Sequence, residues 1–598
     1  MKKKTVFKII AALLPFLLIF IIEIVLRISG YGENYQLFNK VKVENRPEYL
    51  IMNSNISKKY FKNNGFNSDN QSDLFLKTKT SNTFRIFVQG ASTVVGFPYY
   101  QGGSFPRMLK HRLSQTFPEK NIEIINTGIT AVNSYTLWDL TGKIIDQNPD
   151  LVIIYAGHNE YYGALGVGST SSYGSRPTLV RSYLFLKNFR FFQLLDNSYT
   201  KLISQKSTSP KVGETTLMEV MVKEPRIPLN SKVYHAGLKQ FESNLQLILR
   251  KYKKHNIPVI ISTLVSNEKD IKPFISDTIN NEVQFKKSIE QKSNYAKKIS
   301  KTNAYAAYNL GLFYIEKNQD SAKKYLHLAK ELDYLRFRAP EEINHIILKL
   351  AKEYNCGLVD MEAAFLSHSN EIILGNTLLL EHVHPNSNGY FIMADAFYNK
   401  IKALQLLKDW NHNISFDEAS KDIPITAIDS IKGNFIIDDL KNSWPYILNM
   451  SRTTPISSYY AIQNPNYEER RAIEIYKNQV PWRDVMHQSY IKYKNDSAFK
   501  KGLHVAQSLI FEYPEEANPY NLAGNMCLKL MDFNKAAYYF FKYNELEKSS
   551  TSAQQLASVY IKLNKLDLAK KTLLESKSNG INVMSFDELI TLENLNKE

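Results

Sequence analysis

The chain begins with an almost unbroken apolar run. Ile9 to about Leu26 carries one acid, Glu23, and one proline, Pro15, behind the cations Lys2, Lys3, Lys4 and Lys8. A helix needs roughly 20 apolar residues to cross a bilayer core, so the pattern predicts a membrane anchor over residues 1–30. Membrane helices tolerate proline, and the cations predict a cytoplasmic N-terminus with the rest of the chain outside, at the periplasm or the cell surface. No small-x-small site follows the run, which favours a retained anchor over a cleaved signal peptide. Residues 31–80 are polar, rich in Asn and Lys, and read as a stalk with some local structure.

From residue 81 short apolar runs alternate with amphipathic ones. Phe84–Val88, Ile122–Ile125, Leu151–Tyr155 and Val259–Leu264 read as buried strands. Phe105–Phe117, Thr136–Ile145 and Leu238–Tyr252 have apolar residues at helical spacing. Gly357–Asp360 reads as the last strand and Gly389–Leu404 as a closing helix. Continuous apolar strands alternating with helices predict an α/β unit over 81–405, a parallel sheet covered on both faces. Within it, a long excursion runs from Gly163 to Asn230. Its segment Leu179–Leu195 is aromatic and basic, and reads as a core-packing helix with a solvated edge. A lid and a membrane-surface helix are the other readings of this segment.

Residues 285–350 are helical and interrupt the sheet. Leu310, Gly311, Tyr314, Ala322, Leu326 and Ala329 have the small-large spacing of a tetratricopeptide-like helix pair. The spacing recurs in 491–598, at Tyr520, Gly524, Ala536 and Phe540, and again at Ala557, Tyr560, Ala569 and Leu573. Stacked pairs of this kind bury a shared core and offer a surface to a protein partner. Residues 406–490 have weak periodicity and read as a linker with some structure.

A length of 598 residues implies two to four units. The net charge of +17 is spread without a dense basic block. It suits acidic glycans or anionic surfaces, and no nucleic-acid motif accompanies it. Cys356 and Cys527 lie far apart, which supports neither a disulfide framework nor a Cys-based zinc site. His382 and His384 alone are too few ligands for a metal, and no cofactor motif is present.

The candidate chemistry sits at the carboxyl ends of the strands, where ligands bind in such sheets. Gly90-Ala91-Ser92 follows the first strand, Asn126-Thr127-Gly128 the second, and Gly157-His158-Asn159-Glu160 the third. Glu381-His382-Val383-His384-Pro385 precedes the closing helix. A serine hydroxyl needs a base to take its proton. His384 can be that base, and Glu381 can orient the imidazole, completing a triad. His382 competes for the role, but the following proline and the spacing from Glu381 favour His384. The oxyanion formed on attack needs donors already in place, and the Ser92 N–H, the Gly128 N–H and the Asn159 amide are candidates. His158, Glu160, Asn267 and Arg338 are candidate substrate contacts. For Arg336 and Arg338 the other reading is ion pairing with Glu331 or Asp333.

These four blocks resemble those of the SGNH/GDSL hydrolase superfamily. Gly90-Ala91-Ser92 stands where that family has Gly-Asp-Ser, and Glu381 stands for its orienting Asp. The resemblance covers roughly residues 84–405. It implies a three-layer α/β/α sandwich and a Ser-His-acid triad acting on esters. On this reading the chain is a membrane-anchored, extracytoplasmic serine esterase, with an O-acetyl group on an envelope glycan as the expected substrate. Acetyl transfer to a polysaccharide and a non-catalytic scaffold for envelope assembly are the alternatives.

Overall fold

A computed structural model describes residues 3–42, 47–61, 73–172, 176–204, 216–291, 294–447 and 458–595. Helix α1 (Lys3–Ile28) contains the apolar run. Its stretch Phe7–Ile28 is long and apolar enough to cross a membrane, and its large apolar side chains stand exposed. Met1 and Lys2 lie outside the described residues.

Residues 31–80 are not a free stalk. Strands β1 (Phe38–Val41), β2 (Tyr49–Met52) and β3 (Phe75–Leu76) form a small antiparallel sheet. Phe38, Leu50, Met52 and Phe75 are buried in the main core. Phe38 and Phe75 both pack on Phe87 of the central sheet, at 5.8 and 5.6 Å between ring centroids. Strands of two to four residues are too short to leave a period in the sequence, which is why this layer reads as a stalk. Residues 62–72 of that stretch lie outside the described residues.

The central sheet has five parallel strands: β4 (Thr83–Gly90), β5 (Asn121–Asn126), β6 (Leu151–Tyr155), β7 (Val259–Ser262) and β8 (Gly357–Val359), in the order β5-β4-β6-β7-β8. Arg85 of β4 lies opposite Glu123 of β5 in the register, and the two pair at 2.6 Å in a buried site. A short α2 (Ser92–Val95) leaves β4, followed by α3 (Phe105–Thr116) and, after β5, by α4 (Ser134–Ile145). The excursion holds α5 (Pro177–Leu186), α6 (Arg190–Ser204) and α7 (Leu217–Met221), and leads into α8 (Lys232–Lys254).

The insertion is α9 (Glu282–Glu290), α10 (Asn294–Ile299), α11 (Ala304–Tyr314) and α12 (Gln319–Leu332). The next helix, α13 (Glu341–Tyr354), belongs to the sandwich, because it packs on α8, β7 and β8. The insertion therefore ends before 341 and not at 350. The sandwich closes with α14 (Met361–Leu366) and α15 (Ser387–Ala403). Helices α4, α8 and α13 cover one face, and α3, α14 and α15 the other. This is a three-layer α/β/α sandwich whose strand order reverses at β4. Ligands bind beyond the strand ends at such a reversal, and Ser92 lies there.

The stretch 406–490 is mostly ordered helix, not a linker. It carries α16 (Phe416–Ser420), α17 (Ala427–Lys441) and α18 (Tyr467–Tyr476). Trp410, Phe416, Ile423, Ile425, Trp444 and Tyr446 pack against the sandwich core. Its residues 448–457 lie outside the described residues. The C-terminal region is all-helical: α19 (Trp482–Asn495), α20 (Phe499–Glu512), α21 (Ala517–Lys529), α22 (Phe533–Leu546), α23 (Ser550–Lys562), α24 (Leu566–Ser578) and α25 (Phe586–Leu595). Successive helices pack on one another, and a Cβ at Gly524 would stand 2.6 Å from the Phe540 ring. Gly311 meets Leu326 at the same distance between α11 and α12.

Candidate active site

Ser92 owes its position to Gly90. A Cβ at Gly90 would lie 2.2 Å from Val94 and 2.3 Å from the Tyr155 carbonyl, so only glycine lets α2 fold back on the strand end. Ser92 is the first residue of α2; it is half-buried and lines a cavity of about 140 Å3.

His384 is delivered by a tight loop. Leu379 and Pro385 form an isolated antiparallel bridge, and the Leu380 N–H donates to the His384 carbonyl at 2.8 Å. Asn386 caps α15 through the Gly389 N–H. The loop sets His384 Nε2 2.7 Å from Ser92 Oγ. On the other side of the ring, His384 Nδ1 bonds Glu381 Oε1. Glu381 is fully buried, and its carboxylate is enclosed by donors. Oε1 also accepts the His384 N–H at 2.8 Å. Oε2 accepts the His382 N–H at 2.5 Å and the Tyr446 hydroxyl at 2.8 Å. Phe97 packs on the His384 ring at 4.7 Å between centroids.

Burial pushes the His384 imidazole below its ordinary value. Nε2 is then an unprotonated acceptor for the serine proton at neutral pH. His382 does not reach Ser92. Its Nδ1 lies 2.7 Å from the Tyr446 hydroxyl and also contacts Glu381 Oε2, and burial, then the neighbouring His384, hold it well below the usual range. Tyr446 stays a neutral phenol, because burial raises it well above its usual value.

The oxyanion side differs from expectation at one residue. The Gly128 N–H already donates to Asn126 Oδ1 at 2.8 Å, and Gly128 packs on Val94 and Val95 under α2. It is not part of the cavity. Ala131, three residues on, lines the cavity with Ser92 and Asn159. It has φ +61°, in the left-handed region, and its N–H has no acceptor among the described residues. Gly128 draws the eye in the sequence because it is a glycine, whereas a left-handed alanine leaves no mark there. The Asn159 side chain lines the cavity, half-buried.

The four candidate substrate contacts separate. His158 lines the cavity. Its Nδ1 accepts the Ala339 N–H at 3.2 Å, while the buried Nε2 has no hydrogen-bond partner among the described residues. Burial first, and His384 second, push this imidazole down to about 3. The other three do not face the cavity. Glu160 is fully buried and held by Ser134 Oγ at 2.7 Å and Gln240 Nε2 at 2.5 Å. Burial lifts its carboxyl to about 7. Asn267 is fully buried and braces the histidine loop, its N–H donating to the His382 carbonyl at 2.9 Å. Arg338 pairs with Asp333 at 3.0 Å and donates to the carbonyls of Asn267 and Ile271. Arg336 donates to the backbone carbonyls of Ile227 and Glu331. Short polar residues after a strand do not announce whether they turn into the cleft or under it.

The cavity wall comes largely from segments with no signal in the sequence. Leu217, Met218 and Met221 of α7, Phe337, and Leu440 of α17 make it predominantly apolar.

No protein-family model matches the chain, and no curated protein matches it. Among solved structures, a catalytic mutant of Axe2, an acetylxylan esterase from Geobacillus stearothermophilus, aligns at 14% identity and a TM-score of 0.27. The alignment covers 56% of this chain and 98% of that one. The acetyl xylan esterase AlAXEase aligns at 16% identity and a TM-score of 0.26, over 53% of this chain and all of that one. At such identities and scores neither likeness bears on what this chain does. The geometry of Ser92, His384 and Glu381 has to carry the reading.

Proposed function

We propose that the chain is a serine ester hydrolase. The observation that carries this reading is the 2.7 Å contact of Ser92 Oγ with His384 Nε2, with Glu381 on the other ring nitrogen. Ser92 Oγ attacks the ester carbonyl carbon as its proton passes to His384 Nε2. The oxyanion is received by the Ser92 and Ala131 N–H groups and the Asn159 amide, with Ala131 in the place expected of Gly128. The C–O bond to the alcohol then breaks, and the alkoxide leaves with the proton from His384. Water, deprotonated by the same imidazole, releases the acid and restores Ser92. Glu381 stabilises the imidazolium at both proton transfers.

The proposed acyl group is an O-acetyl group, which a cavity of about 140 Å3 accommodates. The proposed alcohol is a glycan hydroxyl outside the cytoplasm. The net charge of +17 and the basic residues before the apolar helix support that placement. The small-residue contacts at Gly311 and Gly524 support reading these helix pairs as tetratricopeptide-like. Transfer of the acetyl group to a second glycan hydroxyl is the other reading. It is favoured by the apolar wall of Leu217, Met218, Met221 and Leu440, which keeps water from an acyl-serine.

The test uses the full chain in detergent beside its Ser92→Ala variant. Acetate release is followed from an aryl acetate and from an acetylated glycan, with and without a non-acetylated acceptor glycan. Release by the parent alone supports hydrolysis, and an acetylated acceptor supports transfer. Equal turnover by parent and variant, or none by a folded parent under any condition, sinks the proposal.

A further inference from the structure

Outside α1, exposed large apolar side chains concentrate in one place. Leu179, Phe185, Leu186, Phe189, Leu195, Tyr199 and Leu202 all belong to the hairpin of α5 and α6. Leu195, Tyr199 and Leu202 recur at helical spacing on α6, and Leu202 is 70% exposed. Soluble surfaces rarely gather apolar residues so densely without an occupant. Over 176–204 the hairpin carries five cations, Arg176, Arg181, Lys187, Arg190 and Lys201, against the single acid Asp196.

The hairpin is fastened to the end of the apolar helix. Glu23, the one acid in that helix, accepts the Phe191 N–H at the start of α6 at 2.8 Å and pairs with Arg27 at 2.7 Å. Asn197 donates to the Tyr31 hydroxyl, and Gln193 bonds the backbone of Glu33 through both its donor and its acceptor. The first turns of α6 therefore lie beside residues 23–33. Glu23 is five residues before Ile28, the end of the span. At 1.5 Å per residue that is about 7.5 Å inside the end of the helix. Interfacial helices bury their apolar face about 5–10 Å into the boundary between headgroups and acyl chains.

We propose that α5 and α6 form a membrane-surface hairpin, lying in the interface of the bilayer that α1 crosses. Phe185, Leu186, Phe189, Tyr199 and Leu202 face the acyl boundary, and the exposed Arg176 meets anionic headgroups. The proposal rests on α1 being a membrane helix. Local hydrogen bonds fix the break at Lys187–Phe189 in what the sequence suggests is one helix. The Asn188 side chain donates back to the Phe185 carbonyl at 2.9 Å, and Glu23 caps the new helix start.

The test places an environment-sensitive fluorophore on single cysteines in the full chain, reconstituted in vesicles of zwitterionic and anionic phospholipid. The positions are Phe185→Cys and Leu202→Cys on the hairpin, Leu14→Cys on α1 and Lys571→Cys on α24, in a Cys356→Ser background. All four native side chains are exposed, so the substitutions spare the core. The expected result is a shift of emission to shorter wavelength, with quenching by lipids spin-labelled near the headgroup, at 185 and 202 but not at 571. Quenching at 14 by lipids spin-labelled deep on the acyl chain, with water-like, unquenched emission at 185 and 202, overturns the hairpin proposal alone and points to another occupant. Water-like emission at 14, unquenched by lipids spin-labelled deep on the acyl chain, overturns the membrane reading and the hairpin with it.

Discussion

The Tyr446 hydroxyl donates to Glu381 Oε2 at 2.8 Å, tying the acid of the candidate triad to a segment 65 residues further along the chain. His382 bonds the same hydroxyl at 2.7 Å. Glu381 is thus gripped on both oxygens, one turned to His384 and the other held by Tyr446 and the His382 N–H. A hydrogen bond to a charged group is worth about 1.5–3 kcal/mol. Tyr446→Phe is expected to lower kcat roughly 10- to 100-fold with KM little changed. Steady-state kinetics on an aryl acetate check this, and a change in KM alone would move Tyr446 from the triad to substrate binding.

The two histidines of the loop should behave differently. Only His384 reaches Ser92, so His384→Ala is expected to abolish turnover. His382→Asn keeps the backbone N–H to Glu381 and should keep activity within about tenfold of the parent, the loss reflecting weakened ring contacts to Tyr446 and Glu381 Oε2. Glu381→Gln keeps the side-chain size but removes the charge that stabilises the imidazolium and turns an amide N–H2 toward donors, at an expected cost of roughly 10^3–10^4 in kcat. Parallel kcat measurements on the three variants rank the roles.

Asn159 and Gly128 should part in the same way. Asn159→Ala removes a donor to the oxyanion and is expected to cost about 10^2–10^3 in kcat. Gly128→Ala places a Cβ 2.9 Å from Asn126 Oδ1 and 3.1 Å from Val94. It is expected to lower the melting temperature, with kcat changing little per folded molecule. A loss of kcat at Gly128 equal to that at Asn159, without loss of stability, would return Gly128 to the oxyanion side.

How much of this was legible in the sequence depends on how each residue signals its place. Gly90-Ala91-Ser92 and Gly157-His158-Asn159 stand directly after buried apolar strands, so the strand pattern alone brings them to one end of the sheet. Glu381 and His384 lie in a loop whose proline and spacing mark it. Ala131 was hidden because what marks it is a left-handed backbone, which only the fold reveals. Tyr446 and Leu440 were hidden because they work from a stretch of weak periodicity, and their partners are distant in sequence. Arg85 and Glu123 show the reverse case, charged residues inside strands that pair only once the register is known.

The buried imidazoles set a pH dependence. His158, His382 and His384 are all pushed below the ordinary value near 6.5. The folded chain then binds fewer protons than the unfolded one once pH falls below about 6.5. Stability from these groups is full above that value and is lost as pH falls toward their folded values. The melting temperature should fall between pH 7.5 and pH 5. The acid limb of kcat/KM should lie below 6.5, because His384 remains neutral there. An acid limb at or above 6.5 would show that the Glu381 carboxylate outweighs burial at His384.

The most direct test of the central claim is covalent. The full chain is treated at pH 7.5 with a fluorophosphonate, which phosphonylates an activated serine, and digested for mass spectrometry. The account predicts one modified serine, Ser92, with labelling abolished in His384→Ala and strongly slowed in Glu381→Gln. Folded protein that takes up no label, or labels at another serine while Ser92 stays free, would contradict it.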